Sequence, residues 1–233
     1  MIGSIEDFVG RTLLLLWYLA ATGVHADHLI GRIGSFSLDP AWAIETARIA
    51  ALLLFCLLVC FMTVVRRPQK AAARGLEPRV TALLATFMLP IMGLFPSVAG
   101  NVEWTVAGTA IAAVGMALSA CCLFWLGRSF SIMATARALV TAGPYGIVRH
   151  PLYACEMLAI VGITLSNISA PTVLAGLAIM GLQFRRMLNE ERVLREAFPE
   201  YEAYAARVPR IVPRFGSRPT SAVAEDPKVA SLV

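Results

Sequence analysis

Apolar runs about the length of a bilayer crossing recur along this chain: Val9 to Ile30, Ala41 to Val65, Val80 to Val98, Val106 to Leu126 and Leu152 to Gln183. A helix rises about 1.5 Å per residue, so roughly twenty apolar residues span the hydrocarbon core. With 58% hydrophobic residues over 233 positions, the chain is more apolar than an ordinary soluble domain, for which about half is typical. The expected fold is all-α: a polytopic membrane bundle of five to six transmembrane helices, with no room for a large soluble domain.

The charges mark sides. Arg66, Arg67, Lys70, Arg74 and Arg79 stand against the single Glu77 after the second run, which by the positive-inside rule puts that loop in the cytoplasm. Pro96 to Glu103 carries no basic residue and belongs on the opposite side. Arg128, Arg137 and Arg149 return the chain to the cytoplasmic face before the last run. The net charge of +5 collects in loops beside apolar segments, without the basic stripe and interleaved aromatics of a nucleic-acid binder.

Leu152 to Gln183 poses a length problem, because a single helix from there through Arg185 would measure about 50 Å and overshoot the bilayer. Asn167-Ile168-Ser169-Ala170-Pro171 supplies a break. The expected solution is a hairpin of two antiparallel arms, Leu152 to Ser166 and Thr172 to Leu188. The second arm continues past the lipid as an amphipathic helix through Arg185, Arg186, Glu190, Glu191, Arg192 and Arg195, with Arg186 and Glu190 spaced to share a face. Such a hairpin brings His150 and Glu190 to one mouth of the protein.

Other features read as architecture. Gly108, Ala112, Gly115 and Ser119 recur at three- and four-residue spacing and suit a close helix seam. Pro90 and Gly93 predict a bend, and Glu45 and Arg48 are spaced to pair on one helix face. The five cysteines (Cys56, Cys60, Cys121, Cys122, Cys155) sit in or beside apolar runs without a C-x-x-C pair and read as reduced, buried residues. His25, Asp27 and His28 could make part of a metal cluster or a polar cap at the membrane surface. The cap is favoured because a metal needs further ligands that this segment lacks. Glu6 and Asp7 precede the first run in place of a basic leader, so that span is expected to be retained. Gly216 to Val233 reads as a disordered tail.

Chemistry concentrates between Gly143 and Glu156, in GPYGIVRHPLYACE. Gly143-Pro144 signals a turn, and Pro151 starts a helix while pushing His150 out of the α region. Glu156 then enters the apolar arm, where a lone carboxylate is costly and implies a use. An imidazole, arginines, carboxylates and tyrosines beside a lipid-facing body suit a charged, water-soluble cofactor meeting a greasy acceptor.

Five segments in order, Leu126-Gly-Arg-Ser-Phe-Ser131, Leu139 to Tyr153 (LVTAGPYGIVRHPLY), Arg186-x-x-x-Glu190-Glu191-x-x-Leu194, Phe198-Pro-x-Tyr201-x-x-Tyr204 and Val208 to Pro213 (VPRIVP), resemble the signature of the isoprenylcysteine carboxyl methyltransferases and their bacterial relatives. The resemblance covers about Leu126 to Pro213; the first three spans carry no comparable motif. It implies an integral membrane methyltransferase using S-adenosylmethionine on the cytoplasmic face. The implied division is an N-terminal membrane region (1–125), a methyltransferase region (126–215) and the tail (216–233). The matching positions are Gly143, Pro144, Tyr145, Arg149, His150, Pro151, Tyr153, Arg186, Glu190 and Glu191. Phe198-Pro199 stands where the family often has Phe-Gly.

The cofactor offers a sulfonium, an amino group, a carboxylate and an adenine. These call for π-faces or carboxylates, an acidic group, an arginine or backbone N–H groups, and a stacking surface. The expected partners are His150 and Arg149, or the backbone of Gly143 to Tyr145, for the carboxylate; Glu190 for the amino group; and Tyr145 or Tyr201 for the purine or sulfonium. A carboxylate acceptor, the expectation the resemblance carries, needs no general base. A thiol or amine must lose a proton, and Glu156, His150 and Glu190 are then the candidates. The acceptor, a lipophilic small molecule or a lipidated chain, enters from membrane lipid. Two alternatives stand beside this: an NADPH-dependent membrane reductase of the sterol-reductase type, which looks similar around Arg-His-Pro, and a non-catalytic scaffold or transporter.

Overall fold

The computed structural model describes residues 2–88 and 102–213. The far half of the third expected span, with Pro90 and Gly93, most of the connection that follows it, and the C-terminal tail lie outside the described residues. Within them the chain is a helix bundle: α1 (Ile2–Gly34), α2 (Pro40–Val65), α3 (Glu77–Phe87), α4 (Val102–Leu126), α5 (Pro151–Ser166), α6 (Ala170–Ala197) and α7 (Tyr201–Arg207). Two short strands, β1 (Ala71–Ala72) and β2 (Thr135–Ala136), pair antiparallel.

Local chemistry sets the helix ends. Asp39 caps α2 by accepting from the Ala41 N–H at 3.0 Å, with Pro40 preset in the first turn. The last carbonyls of α2 have no partner within the helix. Arg11 donates to the Val64 carbonyl at 2.6 Å and Arg128 to that of Val65 at 2.8 Å. Ser169 caps α6 by accepting from the Thr172 N–H, so the hairpin breaks at Asn167–Ser169 as the sequence predicts.

The tightest contact in the bundle is between α4 and α5. It needs glycine: a Cβ built on Gly115 would lie 2.6 Å from the Ala159 nitrogen, and Gly108 and Gly162 are closed by opposing backbone in the same way. Gly108, Ala112, Gly115 and Ser119 all face inward here, as their spacing predicts, and Gly162 is the counterpart across the seam. α2 packs on the other side of α4, α1 on α2, and α6 lies against α5 and α3. Leu13, Leu16, Leu19, Ile30 and Ile33 of α1 stay exposed, as side chains facing lipid would. Among the described residues α1 from Gly10, α2 and α4 are long and apolar enough to cross a membrane. α5 is apolar too but shorter, with 16 residues, about 24 Å, and the second half of α6 is charged.

The strand pair was not expected from sequence. It fixes the basic loop after α2 to the segment after α4, with the Lys70 N–H donating to Ala136 O at 2.7 Å and the Ala73 N–H to Ala134 O at 2.9 Å. Arg137 also donates to the carbonyl of Arg67. The Lys70 ammonium lies 5.0 Å from the centre of the Phe198 ring, tying the same loop to the end of α6.

Candidate active site

Gly143 opens the site with φ of +58°, and a Cβ there would meet the Trp125 ring at 2.5 Å. Both facts demand glycine. The single turn Gly143–Gly146 buries Tyr145, whose carbonyl accepts from the Tyr204 hydroxyl at 2.6 Å. The chain then runs extended beside the Val208-to-Pro213 segment: Arg149 N–H donates to Pro209 O at 2.8 Å and His150 N–H to Arg210 O at 3.0 Å. His150, with φ −127° and ψ 58°, sits one residue before α5 in the non-helical conformation its following proline imposes.

Glu190 and Glu191 leave α6 about 100° apart and do different things. Glu191 is 1% exposed and is surrounded by donors: His150 Nε2 at 3.1 Å, Arg149 at 3.2 Å, Arg210 at 2.8 and 3.0 Å, and Arg195 at 3.5 Å. Burial alone would raise its pKa, but the hydrogen bonds from His150 and Arg210 and the charge of Arg149 hold it well below the usual carboxylate range. Against an ionised carboxylate, Nε2 of His150 carries the proton. Glu190 instead accepts from the Tyr153 hydroxyl at 2.8 Å.

A third network lies one turn deeper. Arg186, buried, donates from Nε to Ile132 O at 3.0 Å, from Nη1 to Gln183 Oε1 at 3.4 Å and from Nη2 to Ser131 O at 3.5 Å. Its guanidinium sits 5.3 Å from the centre of the Tyr153 ring. Gln183 uses its amide nitrogen on Glu156 Oε2 at 2.6 Å, so one amide bridges the carboxylate and the guanidinium.

Three cavities that share lining residues run between these networks. One of about 440 Å³, called the polar cavity for its side chains, carries Arg137, Arg149, Tyr201 and Tyr204 on its wall. A second of similar size shares Leu126, Ser129, Thr135, Tyr145, His150 and Glu190 with it and ends at Tyr153, Glu156 and Arg186. A third, of about 560 Å³, shares Phe130, Glu156 and Arg186 with the second and is otherwise largely apolar, with Tyr18 of α1, Phe55 of α2, Met116 of α4 and Ile160 of α5 on its walls.

Tyr145, Arg149, His150, Tyr153, Glu156, Arg186, Glu190 and Tyr201 all line these spaces. Gly143, Pro144 and Glu191 do not; they build the turn and the ion cluster behind the wall. Tyr201 is held between Arg149, at 6.0 Å, and Arg195, at 5.6 Å from its ring centre. Burial pushes its phenol above the ordinary value, and Tyr204 is pushed up to about 12 for the same reason. Gln183, Thr135, Tyr18 and Arg210 were not singled out from sequence, and Arg137 only as a marker of the membrane side. Arg210 could have been, since it lies inside the Val208-to-Pro213 motif; Tyr18 and Gln183 sit in apolar runs with no local signal. His25 and His28 have ring centres 6.5 Å apart, and no group of three or more metal-ligating side chains is assembled among the described residues.

Residues 104–201 match the family model of the phospholipid methyltransferases. Two curated relatives are similar over part of their length. The cobalt-zinc-cadmium resistance protein CzcN of Cupriavidus metallidurans is 38% identical over 112 residues, which is 46% of this chain and 46% of that protein. The nickel-cobalt-cadmium resistance protein NccN of Alcaligenes xylosoxydans xylosoxydans is 38% identical over 99 residues, 40% of this chain and 42% of that protein. The chain thus matches less than half the length of each relative. The stretch running from α4 through α5 and α6 to the start of α7, which carries most of the cavity wall, is the part that resembles a family of integral membrane methyltransferases.

Proposed function

We propose that this chain is an integral membrane methyltransferase that moves a methyl group from S-adenosylmethionine to a lipophilic acceptor entering from the bilayer, with the polar cavity on the cytoplasmic face. The observation that carries the reading is a row of shared walls: the second cavity shares Tyr145, His150 and Glu190 with the polar one and Phe130, Glu156 and Arg186 with the apolar one bounded by membrane helices. A charged cofactor and a greasy acceptor could meet there and nowhere else among the cavities described.

The residues at the polar end fit the cofactor. Thr135 Oγ1, the Tyr201 hydroxyl and Arg149 Nε are buried without a hydrogen-bond partner among the described residues, and all three belong to residues lining the polar cavity. Buried polar atoms left unpaired are costly unless a ligand satisfies them. Arg149 would receive the amino acid carboxylate, with His150 held beside it by Glu191, Glu190 the amino group, and Tyr145 and Tyr201 the purine or sulfonium. The bound cofactor supplies a methyl group on a positively charged sulfur, open to in-line displacement. The chain then contributes alignment and exclusion of water, which supply most of the acceleration in such a displacement.

Calorimetry on the detergent-purified protein tests the reading with S-adenosylhomocysteine and NADPH as alternative ligands. Saturable binding of the first, weakened by Glu190→Ala with the fold retained, is the expected result. Binding of NADPH alone would establish the reductase in its place.

A further inference from the structure

We propose that the apolar cavity opens to the bilayer through a portal between α1 and α3, and that the rings of Trp17 and Phe87 are its gate. The opening follows from how the helices pack; only the identity of what passes, a lipophilic methyl acceptor, rests on the methyltransferase reading.

Six helices wall the apolar cavity, through Tyr18 of α1, Phe55 of α2, Thr86 of α3, Met116 of α4, Ile160 of α5 and Ile179 of α6. Taken round the cavity, α1 packs on α2, α2 on α4, α4 on α5, α5 on α6 and α6 on α3. Five seams joining six helices leave one gap in the ring. Between α3 and α1 the described residues form no packed seam. Side chains close that gap: the Trp17 and Phe87 rings meet edge to face, with centres 5.0 Å apart and planes at 84°. Each stands next in the chain to a residue on the cavity wall, Tyr18 and Thr86. Trp17 is itself 38% exposed and Phe87 half-buried, so the pair stands at the boundary between the cavity and the lipid.

The other seams are poor entrances. Backbone meets backbone between α4 and α5 at Gly108, Gly115 and Gly162. α3 is tied to α6 by Glu77, which accepts from Arg185 and from Asn189, each at 3.0 Å. α1 is fastened to α2 near both ends, where Arg11 donates to Val64 O at 2.6 Å and Arg32 to Trp42 O at 2.9 Å. With each helix held on its own partner, the parts free to move are the two rings, whose edge-to-face contact is weak enough to break without unfolding a helix.

Depth places the portal in one leaflet. Trp17 lies about 9 Å along α1 from Arg11, and Phe87 about 15 Å along α3 from Glu77. Both distances start from the end that the basic loops assign to the cytoplasm, so the portal faces the cytoplasmic leaflet, the side on which the polar cavity would take up its cofactor. Neither ring belongs to residues 104–201, the stretch that matches the family model. The portal is thus a property of this chain's own N-terminal helices.

The test uses the full-length protein in phosphatidylcholine vesicles. A hexadecyl diazirine is added to the membrane and photolysed after set intervals, and the labelled residues are mapped by mass spectrometry. In the parent, label is expected on Met116 and Ile179 inside the cavity as well as on the outward-facing Val114 and Leu177. Trp17→Cys combined with Phe87→Cys, bridged by a short bis-methanethiosulfonate before the probe is added, should lose the inner labels and keep the outer ones. The same reagent on either single variant should leave both. Trp17→Ala should shorten the time to half-maximal inner labelling. Inner labelling that survives the bridge, inner labelling absent from the parent, or two positions that the reagent cannot bridge would each overturn the portal. Should the double variant fail to fold, the Trp17→Ala time course decides alone, an unchanged half-time removing the gate. S-Adenosylhomocysteine binding, measured by calorimetry on the same preparations, separates the two claims: a gated cavity in a protein that does not bind it keeps the portal and sinks the methyltransferase reading.

Discussion

His150 and Glu191 are 41 positions apart in the chain, yet Nε2 of one stands 3.1 Å from Oε1 of the other. The contact closes the hairpin of α5 and α6 at its polar end. Arg149, next to His150, and Arg210, from a further segment, reach the same carboxylate, so a single buried side chain joins the segment after the Gly143 turn, α6 and the chain after α7.

Glu191→Gln should therefore be among the most damaging single changes in the protein. It leaves His150 and three arginines around a neutral amide, and breaking a buried pair from one side costs about 3–5 kcal/mol. Thermal unfolding in detergent checks this, with Glu190→Gln as the comparison that should unfold within a few degrees of the parent.

The same carboxylate predicts a dependence of stability on pH. Its pKa in the folded protein lies below the unfolded value, so its contribution is fully present above the ordinary carboxylate pKa of about 4.3. That contribution is lost as pH falls from there through the lower folded value. Denaturation midpoints measured below about pH 5 should fall more steeply with acid in the parent than in Glu191→Gln.

Gly143→Ala should fail for two separable reasons. A left-handed φ costs an alanine about 1–2 kcal/mol, and the new methyl group strikes the Trp125 ring. Trp125→Ala in the same chain should recover the steric part and leave the backbone part, which a double-mutant cycle on unfolding midpoints measures.

Two glycine substitutions in helices should have opposite signs. Gly115→Ala drives a Cβ into the backbone of α5 and should cost about 1–3 kcal/mol. Gly181→Ala in α6 has nothing within 4 Å of the new atom and should stabilise by up to about 1 kcal/mol. Equal destabilisation by both would remove the argument for a glycine-dependent seam.

Tyr201→Phe tests the orphaned hydroxyl. Its oxygen has no protein partner among the described residues, so the fold should not weaken. A hydrogen bond to bound cofactor is worth about 1 kcal/mol, and S-adenosylhomocysteine affinity should drop about five-fold. Unchanged affinity would remove Tyr201 from the cofactor site.

Much of this architecture was legible because membrane chains obey few rules. Apolar length gave α2 nearly to the residue and α4 at its C-terminal end, one turn short at its start, and Asn167 to Pro171 gave the hairpin because no uninterrupted helix could fit. Pro151 announced the conformation of His150. Other features had no local signal. Two-residue alanine-rich strands show no alternation, so β1 and β2 could not be seen. Tyr18 and Gln183 lie in runs whose periodicity reports burial but not neighbours. The separate surroundings of Glu190 and Glu191 depended on which side of α6 faces the Arg149-His150 step, a matter of helix rotation that adjacent letters do not reveal.

Arg11 and Arg128 close the end of α2, and Arg128 is also one of the basic residues that the sequence reading takes as markers of the cytoplasmic side. Reversing insertion by neutralising such positions would, at Arg128, also unfasten α2 from the segment after α4. An inverted or inactive product would then report a loosened scaffold as much as a changed direction of entry, and orientation is better probed at Arg74, whose side chain projects into solvent.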